Sequence, residues 1–113
     1  MESEFATQRV IQDIKSDDVR IQVKGYVKNI QEEGNFILDD ESGELTVDVG
    51  ALEAGFKYKE GELVNVIGDL RITTSGEKVL DAEIVQDMTD LNFDDYKKIY
   101  RRKKEILEKD NNF

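Results

Sequence analysis

The sequence contains no cysteine and no histidine. Without cysteine there are no disulfides and no thiolate nucleophile, which fits a reducing compartment. Without either residue, no Ser-His-Asp or Cys-His constellation can be assembled, nor a zinc site of nitrogen and sulfur donors. Proline is also absent, which by itself excludes nothing. No apolar run approaches the roughly 18 residues that a membrane-spanning helix needs. The N-terminal Met1-Glu2-Ser3-Glu4 is acidic and no apolar stretch follows it, so a secretory leader is not expected. Phosphate-cradling patterns of the GxGxxG or GxxxxGK[ST] type are missing. Net positive charge is missing too: 16 basic residues stand against 26 acids, a formal charge of −10. Nucleic-acid affinity comes largely from cations that displace phosphate counterions. An autonomous high-affinity DNA clamp is therefore not expected, while a local basic strip or a subunit of a larger complex stays open.

What is present suffices for one small domain of 113 residues, 38% hydrophobic and 37% charged. Residues 1–18 read as a lead-in, 19–88 as a barrel and 92–110 as a helix. In the lead-in, Phe5, Val10, Ile11 and Ile14 suggest a short helix or an extended segment before the turn at Ser16-Asp17-Asp18. Val19, Ile21, Val23 and Val27 then alternate with Arg20, Gln22, Lys24, Tyr26 and Lys28, the period-2 signature of a strand with one buried face. Gly25 falls on the inward series, where a long first strand must bend to serve both sides of a barrel. Gln31 to Gly34 makes a hairpin loop, Asn35 to Asp39 a second strand, and Asp40-Glu41-Ser42-Gly43 a tight turn. Leu45, Val47 and Val49 form the inward face of the third strand. Leu52, Ala54 and Phe56 belong to a connector that plugs one end. Val64, Val66, Leu70 and Ile72 face inward on the fourth strand, and Leu80, Ala82 and Ile84 on the fifth. The fold class is therefore all-β with a flanking helix: a five-stranded OB-fold barrel followed by one C-terminal amphipathic α-helix.

An OB barrel holds single strands over its second and third strands. Here the outward residues of those strands are Ile37, Asp39, Thr46 and Asp48, and the flanking loop carries Glu32 and Glu33. Positions 31 to 62 hold ten acids and two lysines, so this flank repels a phosphate backbone. It is a solubility surface, a match for a basic partner, or an imitation of nucleic-acid charge. The remaining candidate nucleic-acid strip is Arg20, Lys24, Tyr26 and Lys28 on the first strand, extended by Arg71 and Lys78; the plainer alternative is a solvated edge with Tyr26 packed on a neighbour. The acidic pairs Glu32-Glu33, Asp39-Asp40-Glu41 and Asp94-Asp95 have the chemistry for a hard cation or for acid–base work. They lie at loops, turns and a helix start, where acids are common. No catalytic residue, metal or cofactor is assigned, and an enzyme is not expected.

Asn92 is a suitable N-cap, with Asp94 and Asp95 in the first turn and basic residues beyond. Tyr96, Ile99, Tyr100, Lys103, Ile106 and Leu107 share one stripe, the candidate partner-binding face. The helix either caps its own barrel or packs in an intermolecular bundle, and its length and stripe favour the bundle. Arg101-Arg102-Lys103-Lys104 has the composition of a localisation patch but reads first as the solvated face. Asn111 to Phe113 reads as a frayed end.

Arg9 to Ile14 followed by Gly25-Tyr26-Val27 resembles the opening of OB domains in the replication protein A family. Asp40-Glu41-Ser42-Gly43 looks like that family's Asp-x-(Ser/Thr)-Gly turn, and Gly61 to Gly68 like its approach to the fourth strand. A single OB domain with one C-terminal helix is similar to the small and middle subunits of that heterotrimer. The resemblance implies a non-catalytic accessory subunit of a single-stranded-DNA-binding complex serving replication and repair. Its partners would be larger OB-fold subunits met through the helix, with DNA bound through the complex, inside the cell and in the nucleus of a eukaryote. Alternatives are an autonomous single-strand binder, an anticodon-binding module acting with a tRNA enzyme, and a telomere-capping OB subunit.

Overall fold

The computed structural model describes residues 6–31, 34–50, 52 and 57–110, with side chains to residue 106. Phe5, Glu32, Glu33, Ala54, Phe56, the Leu107 side chain and Asn111 to Phe113 lie outside the described residues. The chain order is β1 (Thr7–Gln8), a 3-10 turn (Ile11–Asp13), β2 (Arg20–Lys28), β3 (Phe36–Asp39), β4 (Glu44–Asp48), β5 (Leu63–Ile72), β6 (Lys78–Asp87) and α1 (Phe93–Asp110).

Five of these strands close on themselves. β2 pairs with β3, β3 with β4, β4 with β6, β6 with β5, and β5 returns to β2. The closure uses the two halves of one long strand: Arg20 to Tyr26 face Asp69 to Leu63, while Tyr26 to Lys28 face Asp39 to Ile37. Gly25 sits where those halves meet. A Cβ there would lie 2.9 Å from the Asp39 carbonyl oxygen and 3.1 Å from Leu38 Cγ, so the bend admits only glycine without movement. The two-residue β1 adds a parallel edge beside Ile21 and Gln22.

The core is the inward series: Ile21, Val23, Val27, Phe36, Leu38, Leu45, Val47, Val64, Val66, Leu80 and Ala82, with Ile14 closing over it. Closing a sheet into a barrel removes its edges and leaves side chains to fill the interior. Three residues expected inside are not there. Val19 is exposed because β2 begins one residue later. Ile72 is exposed because β5 runs past the rim into the hairpin turn. Ile84 is exposed because the ladder skips a residue: Ile67 faces Ile84 but Gly68 faces Ala82, leaving Glu83 as a bulge. An extra residue inverts the alternation beyond it. Val85 consequently packs against the core in the place expected of Ile84.

α1 starts where its cap predicts. Asn92 Oδ1 accepts from the Asp95 amide at 3.1 Å, satisfying one of the orphan donors of the first turn. The helix then lies back along its own barrel.

Candidate functional site

The contact between α1 and the barrel begins with a run of rings. Tyr26, on the outer face of β2, meets the edge of Phe93 at 5.3 Å. Phe93 stacks parallel to Tyr96 at 6.1 Å, and Tyr96 continues to Tyr100 at 6.5 Å. Lys24, two residues before Tyr26 on the same face, is buried with its ammonium 4.6 Å from the Tyr96 ring centre. Burial lowers the Lys24 pKa. The Tyr96 hydroxyl is buried and has no hydrogen-bond partner among the described residues, and desolvation pushes its pKa up to about 12.

Beyond the rings the contact is polar. Tyr100 Oη donates to Asp13 Oδ2 at 3.0 Å, and Lys104 Nζ reaches the same oxygen at 3.0 Å. Lys97 pairs with Glu41 in the β3–β4 turn and lies over the Phe93 ring. The turn is fixed from beneath by Asp40, which is 1% exposed. One Asp40 oxygen accepts from the Ser42 amide and hydroxyl, and the other accepts from the Ile11 amide at 2.7 Å. The Ser42 hydroxyl in turn accepts from the Gln12 amide. The aspartate and serine of this turn thus tie the hairpin to the 3-10 segment, and both together carry the acids that receive α1.

The candidate nucleic-acid strip is not assembled as one surface. Lys24 lies beneath Tyr96 and Tyr26 against Phe93, so α1 covers the only outward ring of β2. Arg20 is paired with Glu83 and Asp69. Lys28 is paired with Asp39 and Glu44. Arg71 forks onto Asp81 and reaches Asp48. Of the six, Lys78 stands exposed at the start of β6. The expected groove residues Asp39 and Asp48 are therefore neutralised by the barrel's own cations.

The stripe on α1 is divided. It spans about 120° around the helix, and the barrel takes one edge of it. Tyr96 and Tyr100 pack inward, whereas Ile99 and Ile106 are 57% and 52% exposed, with Lys103 exposed beside them. Sequence reasoning missed Asp13, Glu41, Lys97 and Lys104 as the polar half of the contact. A signal was available: Phe93, Tyr96, Tyr100 and Lys104 recur at i, i+3, i+7 and i+11, one helical face.

Among the described residues, no group of acids is placed to hold a metal ion, and no helix is long and apolar enough to cross a membrane.

No protein-family model matches the chain, and no curated protein matches it in sequence. Solved structures do. The S. pombe Stn1–Ten1 complex aligns at a TM-score of 0.73 and 20% identity, over 91% of this chain and 95% of that one. The S. pombe telomere-capping protein Ten1 aligns at 0.71 and 20% identity, over 89% and 99%. The second OB-fold domain of replication protein A from Methanococcus maripaludis aligns at 0.55 and 17% identity, over 73% and 95%. The shared fold is the OB-fold. At 91% coverage only about ten residues of this chain are left out, fewer than the 18 of α1, so the first superposition takes in part of the helix as well as the barrel.

Proposed function

We propose that this chain is the small, non-catalytic OB-fold subunit of a single-strand-binding complex of the telomere-capping, Stn1–Ten1 kind. It docks on a larger OB-fold subunit through the outer side of α1, and in a eukaryote it works in the nucleus. The observation that carries this reading is the folded-back helix. Its inner edge is consumed by the barrel, while Ile99 and Ile106 remain exposed seven residues apart on the other side. That spacing is one seam of a helix pair. The pairing of the barrel's outward cations with its own acids agrees with an accessory role, because a cation that must first give up its own acid gains less from a phosphate backbone than a free one. The replication protein A heterotrimer is the weaker version. Its OB domain aligns over a smaller share of the chain, and a free three-helix-bundle face is not what Tyr96 and Tyr100 present.

The test is capture of the tagged protein from its native lysate, with nuclease, followed by identification of retained proteins and the mass of the complex. The expected result is one larger OB-fold protein, retained by the wild type and lost by Ile99→Asp/Ile106→Asp. Both positions are exposed in the free chain, so the barrel stays folded. Retention by the double variant sinks the helix interface, and a three-subunit mass restores the replication protein A version.

A further inference from the structure

Between α1 and the barrel runs a groove of ≈ 340 Å³. Lys97, Tyr100, Arg101 and Lys104 form its helical wall with one acid, Glu105, at the end, and Asp13 and Glu41 stand opposite on the 3-10 segment and the β3–β4 turn. We propose that this groove is a single-stranded nucleic-acid contact held closed by mimicry, with Asp13 and Glu41 standing in for two backbone phosphates.

Charge distribution is the first argument. Positions 96 to 104 hold six of the chain's 16 lysines and arginines, with no acid among them. It is a basic island in a chain of formal charge −10, and Tyr100 lines the groove among these cations, while Tyr96 is taken up by the contact with the barrel. Cations for the backbone beside a ring for a base are what single-strand binding uses.

Donor geometry is the second. A phenol and an ammonium converge on one oxygen of Asp13, each at 3.0 Å, and a second ammonium meets Glu41. A phosphodiester oxygen accepts from the same donors. Arg101 lines the groove beside them and pairs with no described carboxylate. A guanidinium forks onto carboxylate and phosphate alike, but it also stacks on a base, and that second mode favours a nucleotide over an acidic peptide.

One member of each pair faces water: Glu41 is 56% and Lys104 42% exposed at the side chain, whereas Lys97 is 21% and Asp13 16% exposed. Water and salt screen a half-exposed pair in part, so a polyanion can compete for its cation. The groove lies at the small end of ligand sites, room for one nucleotide unit of a passing strand.

This contact does not depend on the partner reading: it uses the inner edge of α1, whereas docking uses the outer one. The experiment is fluorescence anisotropy with the isolated full chain and a labelled dT oligonucleotide about 15 residues long, from about 50 to about 200 mM salt. Asp13→Asn/Glu41→Gln is expected to bind about tenfold tighter than wild type, with a steep salt slope. Adding Arg101→Glu/Lys104→Glu should abolish that gain. The charge-matched Lys98→Glu/Arg102→Glu on the outer side should keep most of it, with circular dichroism confirming the fold throughout. No gain in the first variant overturns the proposal. So does equal loss from both charge reversals, or equal competition by polyglutamate, which would mark a general polyanion effect.

Discussion

The ammonium of Lys24 lies 4.6 Å from the centre of the Tyr96 ring, at a contact where neither group has a hydrogen-bonded partner among the described residues. The cation gains from the ring face, but both groups lose water. Their titrations therefore run in opposite directions. Lys24 has a lowered pKa in the fold, so its charged form is disfavoured there and its contribution to stability grows as pH rises from that lowered value toward 10.5. Tyr96 has a raised pKa, so its contribution is complete below 10.0 and is lost as pH rises toward about 12.

Tyr96→Phe separates the two. It removes the orphan hydroxyl while keeping the ring under Phe93 and over Lys24. A buried unsatisfied hydroxyl costs about 1–3 kcal/mol, so the variant should be more stable than wild type by about 1 kcal/mol at pH 8. It should also lose most of the alkaline decline between 10.0 and about 12, leaving the part owed to Tyr100, whose pKa burial also raises. Urea unfolding at pH 8 and pH 11 measures both effects. A destabilised Tyr96→Phe would mean that the hydroxyl is satisfied after all.

At acid pH the relevant pair is Arg9 and Asp18. Two parallel hydrogen bonds of 3.0 Å join them, and the Lys15 amide adds a third to the carboxylate. The Arg9 hydrogen bonds hold the Asp18 pKa below its ordinary 3.8. A depressed carboxylate contributes stability above its unfolded pKa, and that contribution is lost as pH falls through the folded value. Arg9→Met should therefore cost about 1–2 kcal/mol at pH 7 and flatten the stability profile below about pH 4. Equal acid limbs in the two proteins would refute the assignment.

The barrel was legible because its signal is local. Ile21, Val23 and Val27, Leu45 and Val47, Val64 and Val66, and Leu80 and Ala82 each announce an inward face by alternation, and all are buried. Ile84 was misplaced because one bulged residue, Glu83, inverts the phase, and a bulge has no signature in hydrophobicity alone. The candidate site was harder to see. Asp13 and Tyr100 are 87 residues apart, and nothing in either neighbourhood marks them as partners. The turn signature at Asp40 gave the shape of the hairpin, but not that its carboxylate is buried and reaches the Ile11 amide. Periodicity reports which face is apolar; it does not say which long-range polar groups will meet across it.

The two kinds of glycine in the barrel should respond differently to alanine. At Gly68 an added Cβ would sit 2.1 Å from the Asp81 carbonyl oxygen and 3.0 Å from Ala82 Cα, all backbone atoms that cannot step aside. Gly68→Ala must spread β5 from β6 at the bulge and should cost more than about 3 kcal/mol. At Gly61 a Cβ would meet no atom of the described residues within 4 Å, but φ is +89°. Gly61→Ala meets only backbone strain, about 1 kcal/mol. Thermal unfolding of the two variants side by side checks the order, and a reversed order would refute the close approach at Gly68.

Asp40 supplies the sharpest test of how the site is built. Its buried carboxylate accepts from the Ile11 amide, the Ser42 amide and the Ser42 hydroxyl. Asp40→Ala leaves these donors without their acceptor, and hydrogen bonds to charged groups are worth about 1.5–3 kcal/mol each. The loss should exceed about 3 kcal/mol if the donors stay buried, and be smaller if the 3-10 segment detaches and lets water in. Detachment would carry Asp13 away from Tyr100 and Lys104 and loosen α1 as a consequence. Amide hydrogen exchange reads this directly: Ile11 and Ser42 should lose protection in the variant, followed by the first turns of α1, while Val23 and Val66 in the barrel core stay protected. Loss of protection at Ile11 and Ser42 alone, with α1 unchanged, would show that the helix is held by its ring contacts and not by the acids that Asp40 positions.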